Sequence, residues 1–191
     1  MKKNKTWLLV AMAFIVVLAA AATLYGDLSG RVGTDSLVAE TGTDQEGAAE
    51  PVQAPDFTVY DEDGNAVQLS DYFAKPIVLN FWASWCGPCK NEMPDFDAAY
   101  AQQGEDIHFL MVNATIGRET QENARAYVEE EGYAFPVLYD LDGDASETYE
   151  VYGLPTTYFL DAEGNLIARA GGMIDAETLQ QGIAMIAPEE T

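Results

Sequence analysis

Beyond residue 55, apolar and polar positions fall into short runs that switch between two periods. Asp56-Phe57-Thr58-Val59-Tyr60 alternates, Asp61-Glu62-Asp63-Gly64-Asn65 turns, and Ala66-Val67-Gln68-Leu69 returns, which predicts a β-hairpin. Ser70 to Phe73 reads as a short helical turn. Ile77 to Trp82 is apolar apart from Asn80 and predicts a core strand. A helical run starts near Pro88 and reaches about Gln103, with Pro94 expected to kink it. Ile107 to Asn113 suits a strand buried on both sheet faces. Thr120 to Glu131 places Ala124, Tyr127 and Val128 at helical spacing, and Phe135 to Tyr139 is a short strand. Ala145 to Tyr152 reads as a short helix closed by Gly153. Thr156 to Leu160 and Leu166 to Ala170 flank the turn Asp161 to Asn165 as a second hairpin, and Asp175 caps a last helix to about Ile186. The order ββ-βα-βα-βα-ββα predicts an α/β fold with a central mixed sheet and helices on both faces.

The N-terminus has a different pattern. Trp7 to Leu24 is apolar except for Thr23. As a helix it would reach roughly 27 Å, close to the ~30 Å hydrocarbon core of a bilayer. Lys2, Lys3 and Lys5 precede it, and every Asp and Glu lies at or after Asp27. The positive-inside rule then keeps the N-terminus in the cytoplasm and exports the rest. Residues 1–25 therefore read as a transmembrane anchor; the competing reading is a cleaved signal peptide, since Ala19 to Ala22 offers small residues to a peptidase. No cysteine lies near the end of this run, which excludes a lipoprotein anchor. Residues 26–54, rich in Gly, Thr, Ala, Asp and Glu, show neither period and read as a flexible acidic linker, leaving 55–191 as the folded domain.

The formal charge of −23 sharpens this division. From residue 26 onward, thirty-two acids face six bases, a net of −26. That balance argues against nucleic acid as a partner. The acidic turn at Asp61 to Asn65 lacks the spacing and closing Glu of a calcium loop and reads as a solvated turn.

The only two cysteines, Cys86 and Cys89, stand three positions apart between the core strand and the first long helix. That puts Cys86 at a helix N-terminus, where unpaired N–H groups and the dipole favour an anion. The placement is expected to lower the thiol pKa and make Cys86 nucleophilic at neutral pH. Gly87 lets the turn close, and Pro88 suits the first helical turn. A purely structural disulfide closing so short a loop would constrain the unfolded chain little. A closed zinc site needs four ligands, and His108 is the only histidine. No metal and no cofactor are expected.

The string Trp85-Cys86-Gly87-Pro88-Cys89-Lys90-Asn91-Glu92-Met93-Pro94, preceded by an apolar strand, resembles the thioredoxin superfamily and, in its length, the membrane-anchored extracytoplasmic TlpA/ResA-like thiol–disulfide oxidoreductases. The resemblance covers roughly residues 51–188. It implies a thioredoxin-like fold with an N-terminal hairpin and one α/β insertion, Thr120 to Tyr139. It implies a protein-disulfide reductase in which Cys86 attacks and the more buried Cys89 resolves, the pair cycling through a disulfide. Glu92, three residues after Cys89, matches the branch's acidic residue and is expected to act as base for Cys89; the alternative is an exposed helical Glu. Thioredoxins carry a buried Asp where Asn80 stands. Gly153-Leu154-Pro155-Thr156-Thr157 resembles the cis-proline loop, implying a cis Pro155 and a Leu154 backbone free to pair with a substrate strand; an ordinary trans proline is the alternative. Trp85 is expected to pack beside Cys86 and Trp82 in the core. Lys90 reads as an aid to the thiolate or as a solvated lysine, and His108 as structural.

The Gly-Pro dipeptide matches the reducing end of the superfamily, whose potentials run from about −270 mV for thioredoxin to about −120 mV for strong oxidants. The resemblance implies exported disulfide proteins, such as apocytochrome c, as substrates and a membrane electron donor of the CcdA type. Two other functions fit the same fold. A peroxiredoxin-like thiol peroxidase carries a Pro and a Thr or Ser where Leu79 and Ala83 stand. A metal or haem chaperone of the copper-binding kind uses a CxxxC spacing and a His, not the CxxC found here.

Overall fold

The computed structural model describes residues 37–39 and 52–187, which lie in the compact unit Thr34–Thr191. The expected anchor and most of the expected linker lie outside the described residues. Among the described residues, no helix is long and apolar enough to cross a membrane.

One mixed sheet organises the molecule. Its strands are β1 (Val38–Ala39), β2 (Thr58–Tyr60), β3 (Ala66–Gln68), β4 (Ile77–Trp82), β5 (His108–Asn113), β6 (Val137–Tyr139), β7 (Thr156–Leu160) and β8 (Leu166–Gly171), in the order β1-β8-β7-β4-β5-β6-β2-β3. The central strand β4 is buried along its whole length, runs parallel to β5 and antiparallel to β7. The inserted strand β6 lies parallel to β5 and carries the β2–β3 hairpin on its outer edge through the pair Tyr60 and Tyr139.

Four helices cover the sheet: α1 (Gly87–Gln103), α2 (Gln121–Glu131), α3 (Asp144–Thr148) and α4 (Ala176–Ile186). On one face α1, α2 and α4 bury Met93, Phe96, Tyr127 and Ile183 against Val78, Phe109 and Phe159. On the other, α3 and the 3-10 turn Leu69–Tyr72 bury Ala145 and Leu69 against Leu79, Phe81 and Leu110. Each fully buried large apolar side chain contributes roughly 1.5–3 kcal/mol. Helices on both faces and a mixed sheet are what the element order predicts.

The two acidic turns share one construction. Asp61 accepts from the N–H groups of Asp63 and Asn65 and from Asn65 Nδ2; Asp161 does the same with Glu163 and Asn165. These carboxylates are consumed by their own turns.

Two expectations change. Residues 37–39, read as linker, add an edge strand to β8 (Val38 opposite Arg169), and residues 52–54 pair with 164–166, so backbone pairing continues where hydrophobic periodicity has ended. The helix expected over Ala145 to Tyr152 stops at Thr148. Glu150 adopts φ 48°, its N–H bonds Glu147 O, and the Val151 N–H reaches back to Ser146 O. That pair of bonds is a Schellman closure made by a non-glycine residue, upstream of the expected Gly153. As expected, α1 runs to Gln103 with Pro94 inside it.

Candidate active site

The site lies where β4 ends and α1 begins. Cys86 is the N-cap of α1, with extended φ and ψ, and its sulfur accepts from the Cys89 N–H at 3.2 Å. Gly87 and Pro88 occupy the first helical turn, where a missing N–H costs no bond. Cys86 and Cys89 are joined as a disulfide with Cα atoms 5.3 Å apart. Cys89 is fully buried, and Cys86 keeps 5 % exposure. In this oxidised state, capping and cross-linking fold the Cys86 sulfur onto the helix mouth, and Cys89 is the more buried of the two, as expected. What accessibility remains belongs to Cys86.

Glu92 lies one turn deeper and is 1 % exposed, so it is not a solvated helical Glu. Its Oε1 accepts from Asn80 Nδ2 at 2.9 Å and its Oε2 from the Ile174 N–H at 3.0 Å. Burial pushes its pKa up from 4.5 to about 7 against the opposing pull of these two hydrogen bonds, with Asp95 adding a smaller push. Asn80, paired in register with Thr157 on β7, donates its second Nδ2 proton to Thr157 Oγ1 at 3.0 Å.

The Leu154–Pro155 peptide is cis. Because Phe81 pairs with Thr156, the register brings Pro155 to the end of β4 from which the cysteine loop leaves. Leu154 makes no backbone hydrogen bond among the described residues. A cavity of about 330 Å³ opens here, lined by Tyr152, Gly153, Leu154, Pro155 and Thr156 among others.

Trp82 is fully buried against Tyr127. The contact found for Trp85 is with Arg118: the guanidinium stacks on its ring at 3.9 Å, and Trp85 is 46 % exposed. Lys90 Nζ sits 4.4 Å over the Tyr127 ring. His108 packs edge-on against Tyr72, and burial lowers its pKa, as befits a structural histidine. Thr157, Arg118 and Glu119 were not anticipated. Thr157 ends the cis-proline string, but its bond to Asn80 spans 77 residues, and Glu119 reaches Ser84 across 35 residues with no local motif to mark it.

A cysteine pair capping a helix on a thioredoxin-like sheet, next to a cis-proline loop, defines a thiol–disulfide oxidoreductase. The chain belongs to the AhpC/TSA family, which matches residues 52–169, and within it to the TlpA/ResA-like thiol–disulfide oxidoreductases. It is 33 % identical to the thiol-disulfide oxidoreductase ResA of Bacillus cereus over 137 residues, covering 71 % of this chain and 78 % of that protein. It is 27 % identical to ResA of Bacillus subtilis over 191 residues, covering the whole chain and 98 % of the relative. Among solved structures, the exposed lipoprotein thioredoxin Etrx1 of Streptococcus pneumoniae matches with a TM-score of 0.60 and 33 % identity, over 68 % of this chain and 98 % of that one.

Proposed function

We propose that this oxidoreductase works as a reductant of disulfides in exported proteins, with Cys86 as nucleophile, Cys89 as resolving thiol and Glu92 as the base that serves Cys89. In the reduced protein the Cys86 thiolate, favoured at the mouth of α1, attacks one sulfur of the substrate disulfide and expels the other as a thiolate. Cys89, its proton passed to Glu92, then attacks the Cys86 sulfur and frees the substrate's second thiol. Two electrons leave the protein and the Cys86–Cys89 disulfide forms. Leu154 and Pro155 offer the substrate strand a backbone edge, and Trp85, Gly87 and Pro88 shape the rim around the sulfur. The observation that carries this reading is the asymmetry of burial: only Cys86 is reachable, above a buried carboxyl that holds its proton to about pH 7.

Reduction of a protein disulfide, followed by precipitation of the separated chains, tests it. Cys86→Ser should abolish turnover, Cys89→Ala should accumulate a mixed disulfide with substrate, and trapping through Cys89 instead would overturn the roles. We place the potential near that of thioredoxin, about −270 mV, and a value above about −150 mV would reverse the direction.

The location rests on the sequence and on relatives. The apolar run of residues 7–24 with its preceding lysines and the similarity to an exposed lipoprotein thioredoxin support a domain held outside the cytoplasmic membrane by residues 1–25. Recharging then requires a membrane donor of the CcdA type, and apocytochrome c is one substrate the resemblance supports. Immunoblots of membrane and medium fractions check the anchor; a shorter form in the medium would replace it with a cleaved signal peptide.

A further inference from the structure

The loop between β5 and the inserted helix α2 grips the loop that carries Cys86. Glu119, 4 % exposed, directs its carboxylate at Ser84: Oε2 accepts from the Ser84 N–H, and Oε1 from Ser84 Oγ at 3.0 Å. Its third donor is the Thr120 N–H at 3.0 Å, on the residue that caps α2. One residue earlier, the Arg118 guanidinium carbon sits over the Trp85 ring. Consecutive residues of one loop thus hold consecutive residues of the other. The Ser84 and Thr120 N–H groups can only donate, so the carboxyl group accepts from both. No cation pairs with it among the described residues. Lys90 lies over Tyr127, Arg118 over Trp85, and the other buried carboxyl, Glu92, is tied to Asn80 and Ile174.

Ser84 and Cys86 are two residues apart, so their Cα atoms are separated by at most roughly 7 Å. Glu119 thus brings a buried carboxylate to the backbone two residues before Cys86, where protein screens a charge less than water does. A like charge disfavours the thiolate. Stabilising the reduced form is what makes a dithiol oxidising, so destabilising its thiolate does the opposite.

We infer that Glu119 is a positioning residue of the redox centre, fixing the loop before Cys86 and, through its charge, keeping the dithiol more reducing than the helix mouth alone would make it. The inference rests on the redox reading given above and assigns the loop that leads into the inserted unit a role at the site.

Two charge-removing variants, Glu119→Gln and Glu119→Ala, and two charge-keeping ones, Glu119→Asp and Ser84→Ala, test it. Each is equilibrated against a glutathione buffer, and the pH dependence of Cys86 alkylation is recorded. The neutral variants should move the thiol–disulfide equilibrium about fivefold toward the dithiol, ~20 mV upward, and shift the alkylation midpoint to lower pH. Ser84→Ala should lose thermal stability yet keep the native potential, and Glu119→Asp should keep it also. A folded neutral variant with native potential and alkylation profile overturns the inference. So does failure of both neutral variants to fold while Glu119→Asp behaves as native, since the role is then structural alone. Disulfide reduction by the native chain, measured alongside, reports on the redox reading independently.

Discussion

A carboxyl that loses its water on folding holds its proton more tightly, and Glu92 is 1 % exposed with only two hydrogen bonds to offset the loss. Its pKa is raised to about 7 from 4.5. Between those values the folded chain keeps a proton that the unfolded chain releases, so stability falls as pH rises. The contribution is complete below about pH 4.5 and gone above about pH 7; it amounts to something on the order of 3 kcal/mol. Glu92→Gln should therefore gain on the native oxidised protein steadily across that window in urea melts taken at several pH values; parallel stability curves would show that the carboxyl ionises freely. The same substitution should remove the inflection near pH 7 from the rate of disulfide reduction. The residues behind this prediction differ in how far the sequence discloses them. Cys86, Cys89 and Glu92 stand within seven positions of one another, in a string whose spacing states their geometry. The bonds of Thr157 to Asn80 and of Glu119 to Ser84 come from sheet register and loop packing, neither of which leaves a local pattern.

At the scale of elements, periodicity located the strands and helices from Thr58 onward and missed the edge strand Val38–Ala39 and the end of α3. The edge strand Val38–Ala39 is defined by pairing with β8 rather than by any alternation of its own. The end of α3 is set by Glu150 taking a left-handed conformation that glycine usually supplies. Close packing between elements is equally silent. Gly182 on α4 lies so near Phe159 on β7 that an added Cβ would come within 2.2 Å of the ring. Phe159 is fully buried and has no room to withdraw. Gly182→Ala improves helix propensity by about 1 kcal/mol, but overpacking costs roughly 1–3 kcal/mol or more, and at this distance the clash should win. The variant should melt several degrees lower with the redox potential unchanged. An unchanged or raised melting temperature would mean that α4 shifts away from the sheet without loss.

For the whole molecule, the charge of −26 from residue 26 onward sets how it meets a partner. The described cations nearest the redox disulfide, Lys90 and Arg118, are each laid on an aromatic ring, while acids dominate the rest of the surface. A field of that sign accelerates encounter with basic proteins and slows acidic ones, and salt screens it over ~8–10 Å. The chemical step, between thiolate and disulfide at the mouth of α1, is short-ranged and should feel salt far less. Reduction of a basic protein disulfide should thus slow about tenfold as ionic strength rises from about 20 to about 300 mM. Reduction of a small neutral disulfide over the same range should change less than about twofold. Measured as second-order rate constants, the two series separate encounter from chemistry. If both fall together, salt acts on the redox centre itself, on the Arg118 and Glu119 contacts that hold it. If neither falls, recognition is local and the acidic surface serves only to keep the domain apart from its own copies.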